Sequence, residues 1–215
     1  MGTKILKIDP EEPEPEKIEE AARVVRSGGL LAFPTDTVYG LGADVFNEKA
    51  VERVFKAKER SKDKPLSILV ADFAEMESLV EDITPQALML ASYFWPGALT
   101  LVFKAGRKVP SLLTSDAHKV GIRIPDNKVA LALIRATGTS VTGSSANLSG
   151  DIEPLEAGEV RRELGEKIEL IIDGGRAKLG RPSTVVDISN DQPRVLRRGI
   201  ISWRRVKEVL ESEIE

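Results

Sequence analysis

Apolar positions recur along this chain in two rhythms, and the switch between them predicts its elements. After a Pro/Glu-rich lead-in, Ile18, Ala21, Ala22 and Val25 fall at i, i+3, i+4 and i+7, with Gly28-Gly29 as a stop, which predicts an amphipathic helix. The run Leu30-Leu31-Ala32-Phe33 ends at Pro34 and predicts a buried strand that delivers Thr35-Asp36-Thr37 to a loop closing with Tyr39-Gly40-Leu41-Gly42. Helices follow at about Glu48 to Arg60, Phe73 to Val80 and Pro85 to Phe94, with a strand at Leu66 to Val70, and Trp95-Pro96-Gly97 breaks the pattern. Further strands are predicted at Leu99 to Phe103, Val120 to Ile124, Ser140 to Thr142, Glu169 to Ile172, Thr184 to Ile188 and Arg194 to Leu196. Helices at about Val129 to Ala136, Ala157 to Leu164 and Ser202 to Leu210 complete the set. This alternation predicts the α/β class: an open, twisted, mixed sheet flanked by helices, with antiparallel members where late strands follow one another. Without an internal repeat or a dividing linker, residues 1–215 are expected to form a single domain.

Composition narrows the chemistry. With 41% hydrophobic and 30% charged residues the chain has enough apolar material for a core. It has no cysteine, which removes disulfides, thiol catalysis and cysteine-bound zinc. The single histidine, His118, cannot make a histidine-rich metal site and reads as a surface loop residue, so no metal site is expected. No apolar run approaches the roughly 18 residues needed to cross a bilayer, and no signal-type core opens the sequence, so a cytoplasmic protein without a membrane partner is expected. The formal charge of −3 argues against wholesale nucleic-acid coating, yet Arg194, Arg197, Arg198, Arg204, Arg205 and Lys207 form a local cationic stretch with no acidic residue between them.

Several residues stand where packing alone would not place them. Lys58 follows Val51 by seven positions on the apolar stripe of its helix. It either snorkels past the core edge while Arg60 meets the negative end of the helix dipole, or the two converge on phosphate oxygens. The segment Thr142 to Gly150 follows a strand and is dense in small donors: it is an ordinary turn, or a nest of N–H groups with side-chain help from Ser145 and Asn147. It matches neither a P-loop nor a nucleophile elbow. In the strand Val120 to Ile124, Arg123 faces opposite to Ile122 and Ile124, toward solvent or as a fork for a ligand carboxylate. Ser183-Thr184 and Arg197 are open in the same way.

Taken together these stretches resemble the YrdC-like family of threonylcarbamoyl-AMP synthases from about Ile18 to Gly199. Ala32 to Gly42 looks like the family's opening signature, and Lys58-Glu59-Arg60 with Ser145-Ala146-Asn147 looks like its Lys-x-Arg and Ser-x-Asn pair. Ile172 to Gly175, Pro182 to Val185 and Val195 to Gly199 continue the likeness, while Leu69 stands where many relatives carry a histidine and Arg198 where a proline is common. The resemblance implies a YrdC-like fold with a concave basic face and a nucleotidyltransferase that joins L-threonine, bicarbonate and ATP into threonylcarbamoyl-AMP and pyrophosphate for transfer RNA modification. It places threonine at Thr35, Arg123, Gly143 and Ser183, and ATP at Lys58, Arg60, Ser145, Asn147 and Arg197, with Lys58 and Arg60 as the catalytic pair. Mg²⁺ would accompany ATP, and transfer RNA and a downstream threonylcarbamoyl transferase would be the partners. Two alternatives stand beside this one: a carbamoyl-transferring relative, and a non-catalytic module binding double-stranded RNA or transfer RNA through the cationic stretch.

Overall fold

The structure, a computed structural model, describes residues 2–190 and 192–212. Among them the chain forms strands β1 (Lys4–Lys7), β2 (Leu31–Phe33), β3 (Gly40–Gly42), β4 (Ile68–Leu69), β5 (Leu99–Lys104), β6 (Lys119–Arg123), β7 (Val141–Thr142), β8 (Ser144–Ser145), β9 (Leu170–Asp173), β10 (Thr184–Asp187) and β11 (Arg194–Arg197). The helices are α1 (Pro15–Arg26), α2 (Glu48–Ala57), α3 (Phe73–Glu77), α4 (Pro85–Phe94), α5 (Lys128–Thr137), α6 (Ala157–Leu164) and α7 (Trp203–Glu211). The mixed α/β character agrees with the periodicity. The strands, however, divide between two mixed sheets, ordered β1-β9-β2-β3-β8 and β11-β10-β5-β6-β4-β7.

The short strands β1, β3 and β8 were not foreseen, because Gly40-Leu41-Gly42 and Ser144-Ser145 carry no period-two pattern; register with a neighbour makes them strands. The chain leaves the larger sheet at Thr142 and enters the smaller one at Ser144, with Gly143 at the crossing. A Cβ on Gly143 would lie 2.8 Å from the Leu69 side chain, so only glycine lets the crossing strand sit this close.

Helix starts follow local chemistry. The side chains of Asn47, Asp72, Thr84, Asn127 and Ser202 each accept a hydrogen bond from a main-chain N–H of the first turn of their helix. Two cores result. One packs Ile18, Ala22 and Val25 of α1 against Val129, Leu133 and Ile134 of α5 on the smaller sheet. The other gathers Val51, Val54 and Phe55 of α2 with Leu90 of α4, Val206 of α7 and the inward residues of β5 and β6.

In β5 and β6, Leu99, Leu101, Phe103, Val120 and Ile122 enter that core, and pleating turns Thr100, Val102, Lys119, Gly121 and Arg123 to the opposite face, where a cavity lies. Gly121 keeps its floor low, since a Cβ there would meet the Thr100 side chain at 3.2 Å.

Candidate active site

The cavity has a volume of about 300 Å³. Its floor comes from β5, β6 and β10, and its walls from the Thr37-Val38 loop, the segment after α2, the crossing strand at Gly143 to Ser145, and β11 with the loop before β10. The charged residues that line it, Arg60, Lys119, Arg123 and Arg197, are all cationic.

Arg123 is buried rather than directed at solvent. Its Nη2 is ion-paired with Asp36 Oδ1, Nη1 donates to Thr37 Oγ1 at 2.9 Å, and Nε donates to the Gly97 carbonyl at 2.9 Å. Burial draws its basicity down and the Asp36 charge opposes that. The Gly97 carbonyl follows Trp95-Pro96, whose peptide bond is cis.

Arg197 reaches across the sheet end to Ser183, donating from Nη2 to its carbonyl at 2.9 Å and its Oγ at 3.0 Å; that Oγ also lies 2.8 Å from Thr100 Oγ1. Burial is the largest cause of Arg197's lowered basicity; Glu153 opposes it, and the like charges of Arg123 and Arg60 add to it, a mark of how the three guanidinium groups gather. The approach of β11 depends on Gly199, where a Cβ would fall 2.4 Å from the Pro182 carbonyl oxygen.

Lys58 and Arg60 part company. The predicted helix to Arg60 ends at Ala57, and Glu59 takes the left-handed conformation at φ 50°. That reversal sends the two side chains in different directions. Arg60 lines the cavity, held by the carbonyls of Lys64 at 2.8 Å and Pro65 at 3.1 Å, so it does not cap the helix end. Lys58 is 1% exposed and lies beneath the Ser145-Asn147 turn. Its Nζ donates to the carbonyls of Ser145 and Asn147, the latter at 2.7 Å, and to Asn147 Oδ1 at 3.4 Å, which uses all three of its donors. Burial, then the Arg60 charge, pulls its ammonium down to about 8.

Of the other residues singled out, Gly143, Ser145 and Ser183 line the cavity, whereas Thr35 and Asn147 are buried behind its wall. Asn147 Nδ2 donates to the Asp151 carbonyl at 2.8 Å. The Gly143 amide is committed to the Ser67 carbonyl at 2.7 Å, and its carbonyl accepts from Ser67 Oγ at 2.9 Å. Leu69 is buried beside Gly143. His118 is an exposed turn residue, as its loop position suggested.

Sequence reasoning passed over Thr37, Ser115 and Lys119, all on the lining. The same alternation that turned Arg123 from the core also turns Lys119, and that signal was available. Lys119 pairs with Asp187 at 2.8 Å across Val102. The cationic stretch is divided: Arg197 serves the cavity, while Arg204 and Arg205 both pair with Glu208 and Arg205 covers the Tyr93 ring.

Comparison with known proteins follows the same segments. The Sua5/YciO/YrdC family model, described as telomere recombination, matches residues 23–199. A threonylcarbamoyl-AMP synthase of Pyrococcus abyssi is 43% identical over 194 residues, covering 90% of this chain and 57% of that protein. A putative threonylcarbamoyl-AMP synthase of Methanocaldococcus jannaschii is 35% identical over 96% of this chain and 98% of its own length. The crystal structure of P. abyssi Sua5 complexed with L-threonine superposes with a TM-score of 0.94 at 42% identity, over 97% of this chain and 61% of that one. The chain therefore spans little more than half the length of the P. abyssi protein. Since the matched region runs from α1 past Arg197 and so contains every wall of the cavity, the chain belongs to the Sua5/YciO/YrdC family.

Proposed function

We propose that this chain is an L-threonylcarbamoyl-AMP synthase. It condenses L-threonine, bicarbonate and ATP, and its product serves the threonylcarbamoyl modification of transfer RNA through a downstream transferase in the cytoplasm. One observation carries the reading: three guanidinium groups from segments far apart in sequence, Arg60, Arg123 and Arg197, open on one cavity lined by hydroxyl groups and small residues. Such a lining suits a polyanion beside an amino-acid carboxylate.

The chemistry balances without a protein nucleophile. The neutral threonine amine attacks the carbon of bicarbonate, an N–C bond forms and water leaves, giving an N-carboxylate. An oxygen of that carboxylate attacks the α-phosphorus of ATP and pyrophosphate departs. The protein's part is orientation and charge compensation: Arg60 and Arg197 face the phosphates, Arg123 the threonine carboxylate, and Lys58 supports the Ser145-Asn147 turn from behind while adding a buried positive charge. Mg²⁺ would arrive on the triphosphate, whose oxygens supply ligands of the kind it prefers. Among the described residues no helix is long and apolar enough to cross a membrane.

The test is pyrophosphate release from Mg-ATP and bicarbonate with single amino acids. Release that requires threonine is the expected result. Release that requires carbamoyl phosphate instead would assign the chain to carbamoyl transfer, and RNA binding without any release would leave only a binding module.

A further inference from the structure

The ion pair between Arg123 and Asp36 raises a question of charge that the clamp alone does not answer. Asp36 is 4% exposed, and its Oδ1 is spent on Arg123 while its Oδ2 has no partner. The loop that carries it is fastened at the main chain: the Asp36 carbonyl accepts from Leu179 N at 2.9 Å and the Thr37 carbonyl from Gly180 N at 3.1 Å.

The hydroxyl groups are fixed as well. Thr35 Oγ1 gives its single proton to the Val38 carbonyl at 2.6 Å, so in its 3.0 Å contact with Thr37 it accepts; Thr37 in turn accepts from Arg123 Nη1. The chain of bonds therefore runs in one direction from Arg123 through Thr37 and Thr35 to Val38. Of the five N–H groups of a guanidinium, three are used by Asp36, Thr37 and Gly97, which leaves two for a ligand.

Arg123 and Asp36 together carry no net charge. Once phosphates match the charges of Arg60 and Arg197, a ligand that brings only a carboxylate leaves an uncompensated negative charge in this buried corner. One that brings a carboxylate and an ammonium on the same carbon would not, because Asp36 cancels the repulsion between Arg123 and the ammonium. We propose that Asp36 is a positioning and specificity residue: by pinning and compensating Arg123 it makes this part of the cavity select zwitterionic α-amino acids over simple carboxylates. The inference rests on the amino-acid reading of the cavity given above.

Calorimetry with the intact chain, saturated with a magnesium complex of α,β-methylene-ATP so that Arg60 and Arg197 are matched, tests it, using L-threonine and the 2,3-dihydroxybutyrate of matching configuration, which has a hydroxyl in place of the amine. The wild type is expected to prefer threonine. Asp36→Asn, which keeps the shape and removes the charge, should reduce that preference at least tenfold, and Asp36→Glu should retain most of it. An unchanged ratio in folded Asp36→Asn overturns the assignment of Asp36 and leaves the amino-acid reading standing. A wild type that binds neither compound overturns both. If Asp36→Asn does not fold, Asp36→Ser, which also removes the charge and keeps Arg123, is measured instead; a preference for threonine reduced at least tenfold supports the inference, and an unchanged preference defeats it.

Discussion

Lys58 shows how a residue can belong to a site without facing it. Its ammonium is hidden below the Ser145-Asn147 turn and its basicity is drawn down to about 8 by burial and then by Arg60. The sign follows from linkage. The unfolded chain holds this proton up to the ordinary value of 10.5 and the folded one releases it near 8, so unfolding takes up a proton between the two. Stability relative to a Lys58→Met variant should therefore rise as pH increases through that window and be lowest below it. Urea titrations from pH 7 to 10.5 check this, and a difference that stays flat across the range would show that the lysine is not desolvated. In the same window ATP affinity should weaken, because the positive charge behind Ser145 is lost. Lys58→Met should itself cost about 1–3 kcal/mol at pH 7, the usual penalty for leaving buried carbonyl groups without a donor.

At the scale of elements, the end of α2 decides what the Lys58-Glu59-Arg60 motif can do. Periodicity carried the helix through Arg60, which would have set the two cations about 200° apart around one helix, Lys58 on its apolar stripe and Arg60 across from it. Instead α2 stops at Ala57, and the left-handed turn at Glu59 separates them into a support and a cavity residue. A non-glycine residue in this conformation is strained, and a β-branched one more so. Glu59→Val should therefore destabilise the chain by about 1–2 kcal/mol, whereas Glu59→Gly should shift stability by less than about 1 kcal/mol, as read from urea midpoints. Equal effects from the two would mean that the Glu59–Lys167 ion pair at 2.8 Å, and not backbone strain, governs the turn. Two helices agree at both ends with the prediction: α6, defined by its one buried stripe, and α4, bounded by the Thr84-Pro85 start and the Trp95-Pro96 break. Of the two-residue strands, β4 and β7 fall inside the predicted Leu66 to Val70 and Ser140 to Thr142, whereas β8 lies below the length at which any rhythm is visible.

For the molecule as a whole, the cavity is a meeting point of the two sheets and the segments around them, so a bound ligand ties these parts together. ATP at a hundred times its dissociation constant stabilises a folded state by about 2.7 kcal/mol, which for a chain of this size raises the melting temperature by roughly 5–10 °C. Calorimetric scans with and without Mg-ATP should show that shift in the wild type and lose most of it in Arg60→Ala/Arg197→Ala, and a variant that keeps the full shift would place the nucleotide elsewhere. Much of this architecture was legible in the residues. Hydrophobic period separates helices from strands because burial of one face is a local requirement, and residue type marks Arg123, Ser145, Ser183 and Arg197 as chemically able. Direction and depth were not legible. Whether Arg123 meets solvent or Asp36, whether Lys58 opens on the cavity or lies under it, and how the strands divide between two sheets all depend on contacts between residues distant in sequence. Local pattern reports which face of an element is apolar; only the assembled chain settles which neighbour covers it and which charges are left to face a ligand.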